Sequence, residues 1–124
     1  MPYVTIAITP GLSAEKKKEL MQRCSDAVVE SIGAPLSSVR VILQELADDA
    51  YMDAGQLGAE GVIIVVDMIE GRTQQQKDAL IAMMSRAAAE VSGLTEESHV
   101  RVRVIDFPRG NMGMANGTTA LAGH

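Results

Sequence analysis

The sequence contains one structural pattern twice, with the two copies about sixty residues apart. Each copy has an alternating apolar strand, a helix with regularly spaced apolar residues, and a second strand. The strongest matches between the copies are Gly11 with Gly71, Lys17 with Lys77, Leu20 with Leu80, Ser25 with Ser85, Glu30 with Glu90 and Gly33 with Gly93. Since a strand–helix–strand unit has parallel strands and a right-handed crossover, the sequence predicts a tandem β-α-β duplication.

One such unit is not stable alone, because it makes only a two-stranded ribbon with one face covered. Two units together predict an α/β (α+β) fold, with a four-stranded sheet and two helices on one face. The 124 residues make one domain, with units at about 2–58 and 62–117. We assign Val4, Ile6 and Ile8 to the face that the helices leave open, and an exposed apolar face predicts oligomerisation.

Capping residues define the predicted helices. Ser13 is a good N-cap for the first helix, and Gly33 stands where a helix end favours a left-handed residue. In the second copy, Thr73 and Gln76 have the form of a capping box, and Gly93 closes the helix. The predicted strands are 3–9, 39–46, 62–68 and 100–107, and segment 47–61 is a connector that accommodates a short hairpin or turn.

Charge and composition exclude several classes of partner. The net charge of −5 argues against nucleic acid and against an acidic membrane surface, and no stretch is long enough to span a membrane. Cys24 is single, and His99 and His124 show no metal-ligand spacing, so we expect no disulfide, metal or cofactor. The start lacks the features of a signal peptide, which predicts a cytoplasmic protein.

Pro2 has the clearest chemical potential in the chain. A small residue behind Met1 normally allows removal of the methionine, which leaves Pro2 with a free secondary amine that is both base and nucleophile. Ordinary α-amino groups titrate at about 7.7 to 8.0. A proline amine starts more basic, and desolvation and nearby cations lower its pKa. The alternative is that Pro2 merely begins the first strand.

Taken together, these residues resemble the tautomerase superfamily, and most closely 4-oxalocrotonate tautomerase. The resemblance rests on Pro2 opening a strand, on the repeat length, and on segments 34–42 and 70–73. It covers nearly the whole chain and implies two family subunits fused head to tail. It therefore implies a tautomerase-like fold and a homotrimer, in which three chains replace six subunits.

The resemblance also implies the site residues. It makes Pro2 the catalytic base and acid, whereas the equivalent position in the second half is Val62, which has no free amine. The family's arginine after the first strand is matched in the second half but replaced by Leu12 in the first. The family's arginine at the start of the second strand is matched by both Arg40 and Arg101. Its active-site phenylalanine in the following hairpin aligns with Tyr51 in the first half and with Met112 in the second. The substrate-binding residues predicted from these matches are Arg40, Arg72, Arg101 and Tyr51.

The implied activity is that of an isomerase that interconverts enol and keto forms of a 2-oxo acid of the 2-hydroxymuconate or phenylenolpyruvate type. Such a proton transfer requires a base with a pKa near the working pH. Cations must hold the carboxylate and stabilise the developing charge on oxygen. Arginine fits this second task because its planar guanidinium pairs bidentately with carboxylate and stays charged.

Two alternatives remain open at this point. A cis-3-haloacrylate dehalogenase or a malonate-semialdehyde decarboxylase of the same superfamily would place a carboxylate near the proline, and Glu45 and Asp106 are unassigned. A non-catalytic trimeric binding protein would need no free amine at Pro2.

Overall fold

The computed structural model describes residues 2–93 and 99–121. Met1, His124 and the predicted loop 94–98 after Gly93 lie outside these residues. The elements in chain order are β1 (Tyr3–Ile8), α1 (Ala14–Ile32), β2 (Arg40–Glu45), β3 (Met52–Asp53), β4 (Gln56–Leu57), β5 (Val62–Ile69), α2 (Gln74–Ser92) and β6 (Val100–Phe107). The predicted duplication is therefore present, and the connector carries the short β3–β4 hairpin.

The four long strands form one sheet in the order β2-β1-β5-β6. The strands are parallel within each unit, whereas the central pair β1 and β5 is antiparallel, with Tyr3 opposite Asp67 and Ile8 opposite Val62. An antiparallel centre relates the two units by an approximate two-fold axis. The beginning of each unit therefore lies beside the end of the other unit's first strand.

The core lies between the sheet and the two helices. Val4, Ile6 and Ile8 are buried there, in one cluster with residues of both helices such as Leu20 and Leu80. The assignment of Val4, Ile6 and Ile8 to an open face was therefore wrong. Alternation along a strand fixes which residues share a face, but it does not say which face the helices cover.

The open face of the sheet is mixed rather than apolar. It consists of three rows across β2, β1, β5 and β6, which are Arg40–Tyr3–Asp67–Ile105, Ile42–Thr5–Val65–Arg103 and Gln44–Ala7–Ile63–Arg101. Three of the twelve positions are arginines. This face can therefore present charge as well as apolar surface to another molecule.

The helix caps occur as predicted. The Ser13 side chain accepts a hydrogen bond from the Lys16 N–H, and Gly33 ends α1 with φ of 68°. Thr73 and Gln76 form a complete capping box at the start of α2, and Gly93 ends that helix with φ of 74°. None of the helices in the described part of the chain is long and apolar enough to cross a membrane.

Two ion pairs occupy equivalent places in the two units and account for the unassigned carboxylates. Lys17 of α1 lies 2.9 Å from Glu45 at the end of β2, and Lys77 of α2 pairs with Asp106 near the end of β6. Each pair ties the first turns of a helix to the following parallel strand. Each carboxylate therefore has a structural partner in its own unit.

Candidate active site

Pro2 lies directly before β1 and is fully buried. Its carbonyl accepts a hydrogen bond from the Arg40 N–H at 3.2 Å, which continues the pairing of β1 with β2. Because Tyr3 is opposite Asp67, Pro2 comes next to Met68 near the end of β5. Strand alternation turns the Pro2 ring toward the helices, on the same side as Val4. The predicted base therefore stands in an apolar setting at one end of the sheet.

Arg72 lies at this same end of the sheet. The chain leaves β5 at Ile69, turns at Gly71 with φ of 125°, and passes through Arg72 and the N-cap Thr73 into α2. The Nε atom of Arg72 is buried and has no hydrogen-bond partner within residues 2–93 and 99–121. A buried unpaired donor costs about 1–3 kcal/mol, so Arg72 is a strong candidate to bind an anion or a neighbouring chain.

The equivalent positions at the other end of the sheet lie close together. Leu12 and Val62, which correspond to Arg72 and Pro2, line one cavity of about 110 Å³. The two units share their fold and their turn geometry, since φ is 126° at Gly11 and 125° at Gly71. By the approximate two-fold axis, we therefore expect the Arg72 side chain to lie beside Pro2.

Arg40 is the second cation at this end. It opens β2 opposite Tyr3 on the open face of the sheet. One Nη atom donates to the carbonyls of Ser37 at 2.9 Å and Val39 at 3.2 Å. The side chain is exposed, and these bonds hold it against the short 3₁₀ turn at Leu36–Ser38.

Arg101 lies at the opposite end of the sheet within the same chain. It is opposite Ile63, and one Nη atom donates to the Val100 carbonyl at 3.0 Å. Five residues of β5 separate Ile63 from Met68, which is about 16 Å along the strand. The Arg101 side chain therefore does not reach Pro2 of its own chain.

Tyr51 also lies at that opposite end. Its ring packs on the backbone of Gly61, so closely that a Cβ atom at Gly61 would come 2.5 Å from the Tyr51 hydroxyl oxygen. Gly61 is paired to Thr9 just beyond β1, where the Thr9 N–H donates to the Gly61 carbonyl. Within one chain, Tyr51 is thus next to the Val62 end and not next to Pro2.

This contact predicts a stability effect. Gly61→Ala should lower the free energy of unfolding by about 1–2 kcal/mol, because the added methyl group forces the Tyr51 ring out of its place. Gly113→Ala is the matched control, since nothing lies within 4 Å of a Cβ there. Urea unfolding measures both. In a Tyr51→Ala background the Gly61 substitution should cost little, and an equal cost in both backgrounds would disprove the contact.

The residues that sequence reasoning left out of the site form an apolar cluster at the Pro2 end. Ile69, Met112 and Ala120 are buried together, and the partly buried side chains packed against them are Tyr3, Phe107 and Met114. The Ala120 N–H donates to the Met112 carbonyl at 3.0 Å, which folds the end of the chain back onto this cluster. The signal for Met112 was its alignment with the family's phenylalanine.

The fold and the predicted site together are typical of an enzyme class in which a proline at the start of a β-α-β unit acts with arginines. The family model described as "Tautomerase enzyme" matches residues 2–59 and 63–119, one match for each repeat. The chain belongs to this tautomerase family. The resemblance drawn from Pro2 and the repeat is confirmed.

Individual relatives agree with this assignment. Pt0534, whose crystal structure was determined after inactivation by 2-oxo-3-pentynoate, is 58% identical with a TM-score of 0.95, over 98% of this chain and 99% of that one. The Q0 fused 4-OT, a symmetric trimer, is 42% identical with a TM-score of 0.93, over 98% of this chain and 99% of that one. A 2-hydroxymuconate tautomerase of Pseudomonas putida is 40% identical over 60 residues, which are 48% of this chain and 95% of the relative.

The lengths of these matches agree with the duplication. The short Pseudomonas putida relative corresponds to one repeat, whereas the fused proteins match both. The chain is accordingly an enzyme of the tautomerase class, built from two family units in one polypeptide. The predicted fold class and the predicted isomerase activity are both confirmed, and the non-catalytic alternative is disfavoured.

Proposed function

We propose that the amine of Pro2 transfers the proton between oxygen and carbon when a 2-hydroxy-dienoate or enol of a 2-oxo acid becomes its keto form. The observation that carries this proposal is the buried Nε of Arg72, which has no hydrogen-bond partner among the described residues and lies at the same end of the sheet as Pro2. A base and an anion-binding donor thus stand together. A 2-oxo acid has both groups that such a pair requires, an acidic C–H or O–H and a carboxylate.

The surroundings of Pro2 suit a base that works near neutral pH. Burial disfavours the protonated amine, and a nearby guanidinium repels it, so both lower the pKa of the amine. One cation about 5 Å away, at an effective dielectric constant of about 20, contributes roughly 3 kcal/mol, or about two pKa units. Arg72 and Arg40 are two of the cations at this end, and we assign this effect to them.

The arginines would bind different parts of the substrate. Arg72 offers to the carboxylate or the 2-oxygen its Nε, for which residues 2–93 and 99–121 provide no hydrogen-bond partner, and Arg40 approaches from the open face of the sheet. Arg101 and Tyr51 lie too far from Pro2 within one chain, so their predicted roles require a second chain. Arg101 is on the open face, where it can enter a neighbour's site. We therefore propose a homotrimer with sites shared between chains, as the symmetric trimer of the Q0 fused 4-OT suggests.

The apolar residues at the Pro2 end of the sheet indicate the substrate class. Met112 and Phe107 offer a flexible apolar surface, and methionine adapts readily to unsaturated chains. We propose 2-hydroxymuconate or a phenylenolpyruvate-like monoacid as substrate, with no cofactor, in a cytoplasmic enzyme. A panel with one diacid enol and one monoacid enol tests this, and the absence of turnover with both would refute it. Glu45 and Asp106 offer no support for the dehalogenase or decarboxylase alternative, because each is paired with a lysine.

A reactive 2-oxo acid should label the proposed base. We expect 2-oxo-3-pentynoate to inactivate this enzyme, because its alkyne is conjugated to the ketone and accepts a nucleophilic amine. The protein should gain the mass of one inhibitor per chain, and peptide mapping should place it on Pro2. Cys24 should remain unmodified, since burial raises the pKa of its thiol to about 12, with a smaller opposing effect of Arg23.

The control for this experiment is protein in which Met1 is retained, because its Pro2 nitrogen is an amide. That protein should take up no label. Equal labelling of both preparations would remove Pro2 as the nucleophile, and labelling of Cys24 would contradict its burial.

A further inference from the structure

The start of α2 has a hydrogen bond that the start of α1 lacks. At α2, the Thr73 N–H donates to the Gln76 Oε1 at 2.9 Å, and the Gln76 N–H donates to the Thr73 Oγ1 at 3.1 Å. At α1, the Lys16 N–H donates to the Ser13 Oγ at 3.2 Å. The return bond cannot form there, because a lysine ammonium has no acceptor.

Other features at the two helix starts repeat. The preceding glycines share the same positive φ, 126° at Gly11 and 125° at Gly71. The ion pairs behind the first turns repeat as Lys17 with Glu45 and Lys77 with Asp106. The complete capping box therefore occurs at the helix that follows Arg72 and not at the helix that follows Leu12.

This bond acts directly on Arg72. The Thr73 N–H belongs to the peptide plane that also contains the Arg72 carbonyl. Holding that N–H on Gln76 restrains the orientation of the plane and therefore the ψ angle of Arg72. The Nε of Arg72 has no hydrogen-bond partner in the described part of the chain. No hydrogen bond to this atom within the described residues orients the side chain, so its orientation depends more strongly on the backbone.

We propose that Gln76 is a positioning residue, which holds Arg72 in the orientation that serves Pro2 and the substrate carboxylate. The catalytic part of this inference rests on the proposed function. Small displacements of a binding group are costly, because a misplacement of about 1 Å can lower a rate by about a hundredfold. Leu12 makes no directional contact with substrate, so the first helix has no such requirement.

The test compares Gln76→Ala with Lys16→Ala at the equivalent position of α1. Gln76→Ala should lower kcat/KM, chiefly through a higher KM, by about fivefold, which is less than the roughly hundredfold that a misplacement of about 1 Å can cost. The pH at which activity rises should be higher than in the wild-type enzyme, because a displaced Arg72 no longer lowers the pKa of Pro2. Lys16→Ala should change neither quantity. A role in helix stability alone would lower Tm and leave the pH profile in place.

A double-mutant cycle shows whether Gln76 acts through Arg72. In an Arg72→Ala background, Gln76→Ala should have no further effect on kcat/KM. A fivefold loss in that background, or an equal loss from Lys16→Ala, would overturn the inference. Gln76→Glu keeps an acceptor for the Thr73 N–H, so it should retain the native orientation of Arg72.

A second readout separates this inference from the proposed function. The Nε–Hε resonance of Arg72 in a ¹⁵N spectrum should shift or broaden in Gln76→Ala and stay in place in Lys16→Ala. If the wild-type enzyme turns over no 2-oxo acid but the resonance shifts as expected, the proposed function fails and the positioning role stands. If the resonance does not move, the positioning role is wrong even in an active enzyme.

Discussion

Protein that retains Met1 is expected to have no measurable tautomerase activity, whereas protein that begins at Pro2 is expected to be active. Retention of Met1 converts the Pro2 nitrogen from an amine into an amide, which is neither basic nor nucleophilic. General base catalysis contributes about 10²–10⁴-fold to such rates, so this is the largest effect that we expect from one change. Intact mass identifies the two forms, and turnover of the same enol acid compares them.

The pH dependence should identify the amine as the titrating group. With Met1 removed, the rate should rise with pH through one ionisation as the free base forms. The pKa of this ionisation should lie below that of an unperturbed proline amine, because burial and the arginines at this end favour the neutral form. The arginines stay charged throughout this range and cannot produce the rise.

Substitutions at and near the site provide the controls for this assignment. Pro2→Ala with Met1 removed keeps a primary amine and should retain weak activity. The pH profile should be unchanged by substitution of Cys24, His99 or Tyr51. Full activity in a Met1-bearing preparation would exclude Pro2 from the mechanism.

Much of the fold was predictable because the repeat constrains it so strongly. Once Gly11 with Gly71 and Leu20 with Leu80 establish two β-α-β units, a four-stranded sheet with two helices on one face is the arrangement that buries both apolar surfaces. The helix ends were predictable for a local reason, since Ser13 and Thr73 cap through their own side chains. Strand limits moved by one residue, as at β2, which begins at Arg40 and not at Val39.

The orientation of the sheet was not predictable from the same pattern. Val4, Ile6 and Ile8 are β-branched and occupy alternate positions of β1. Tyr3, Thr5 and Ala7 occupy the other alternate positions, so alternation does not show which set is buried. The helices cover the first set, and that choice depends on packing between elements that are distant in sequence.

The site was harder to predict because its members come from both halves. The antiparallel pairing of β1 with β5 crosses the two units, so the start of the first unit meets the end of β5 in the second. Arg72 and Met112 thereby fall at the Pro2 end, while Arg101 and Tyr51 fall at the Val62 end. A residue-by-residue alignment within each half shows which positions are equivalent, but it does not show which equivalents share a site.

Arg72→Ala is expected to lower kcat/KM at least tenfold, because it removes a charge-assisted contact worth roughly 1.5–3 kcal/mol. Leu12→Ala is the matched control, since Leu12 occupies the equivalent position beside Val62 and should have little effect. Steady-state kinetics with one diacid and one monoacid enol measure both variants. Equal losses at the two positions would contradict the idea that the halves have diverged in function.

Arg101→Ala should lower kcat/KM by a similar factor, but the affected site should be that of a neighbouring chain. Since Arg101 is about 16 Å along the sheet from the level of Pro2 of its own chain, the proposed trimer requires its effect to reach the site of a neighbouring chain. Mixed trimers test this directly. Chains that carry Arg101→Ala and chains that retain Met1 should each be weak or inactive alone. After unfolding and refolding together, some sites should combine an intact Pro2 amine with an intact Arg101 from a neighbour, and activity should exceed the sum of the separate preparations. If mixing restores nothing while mixed trimers are present by mass, Arg101 does not serve a neighbouring site.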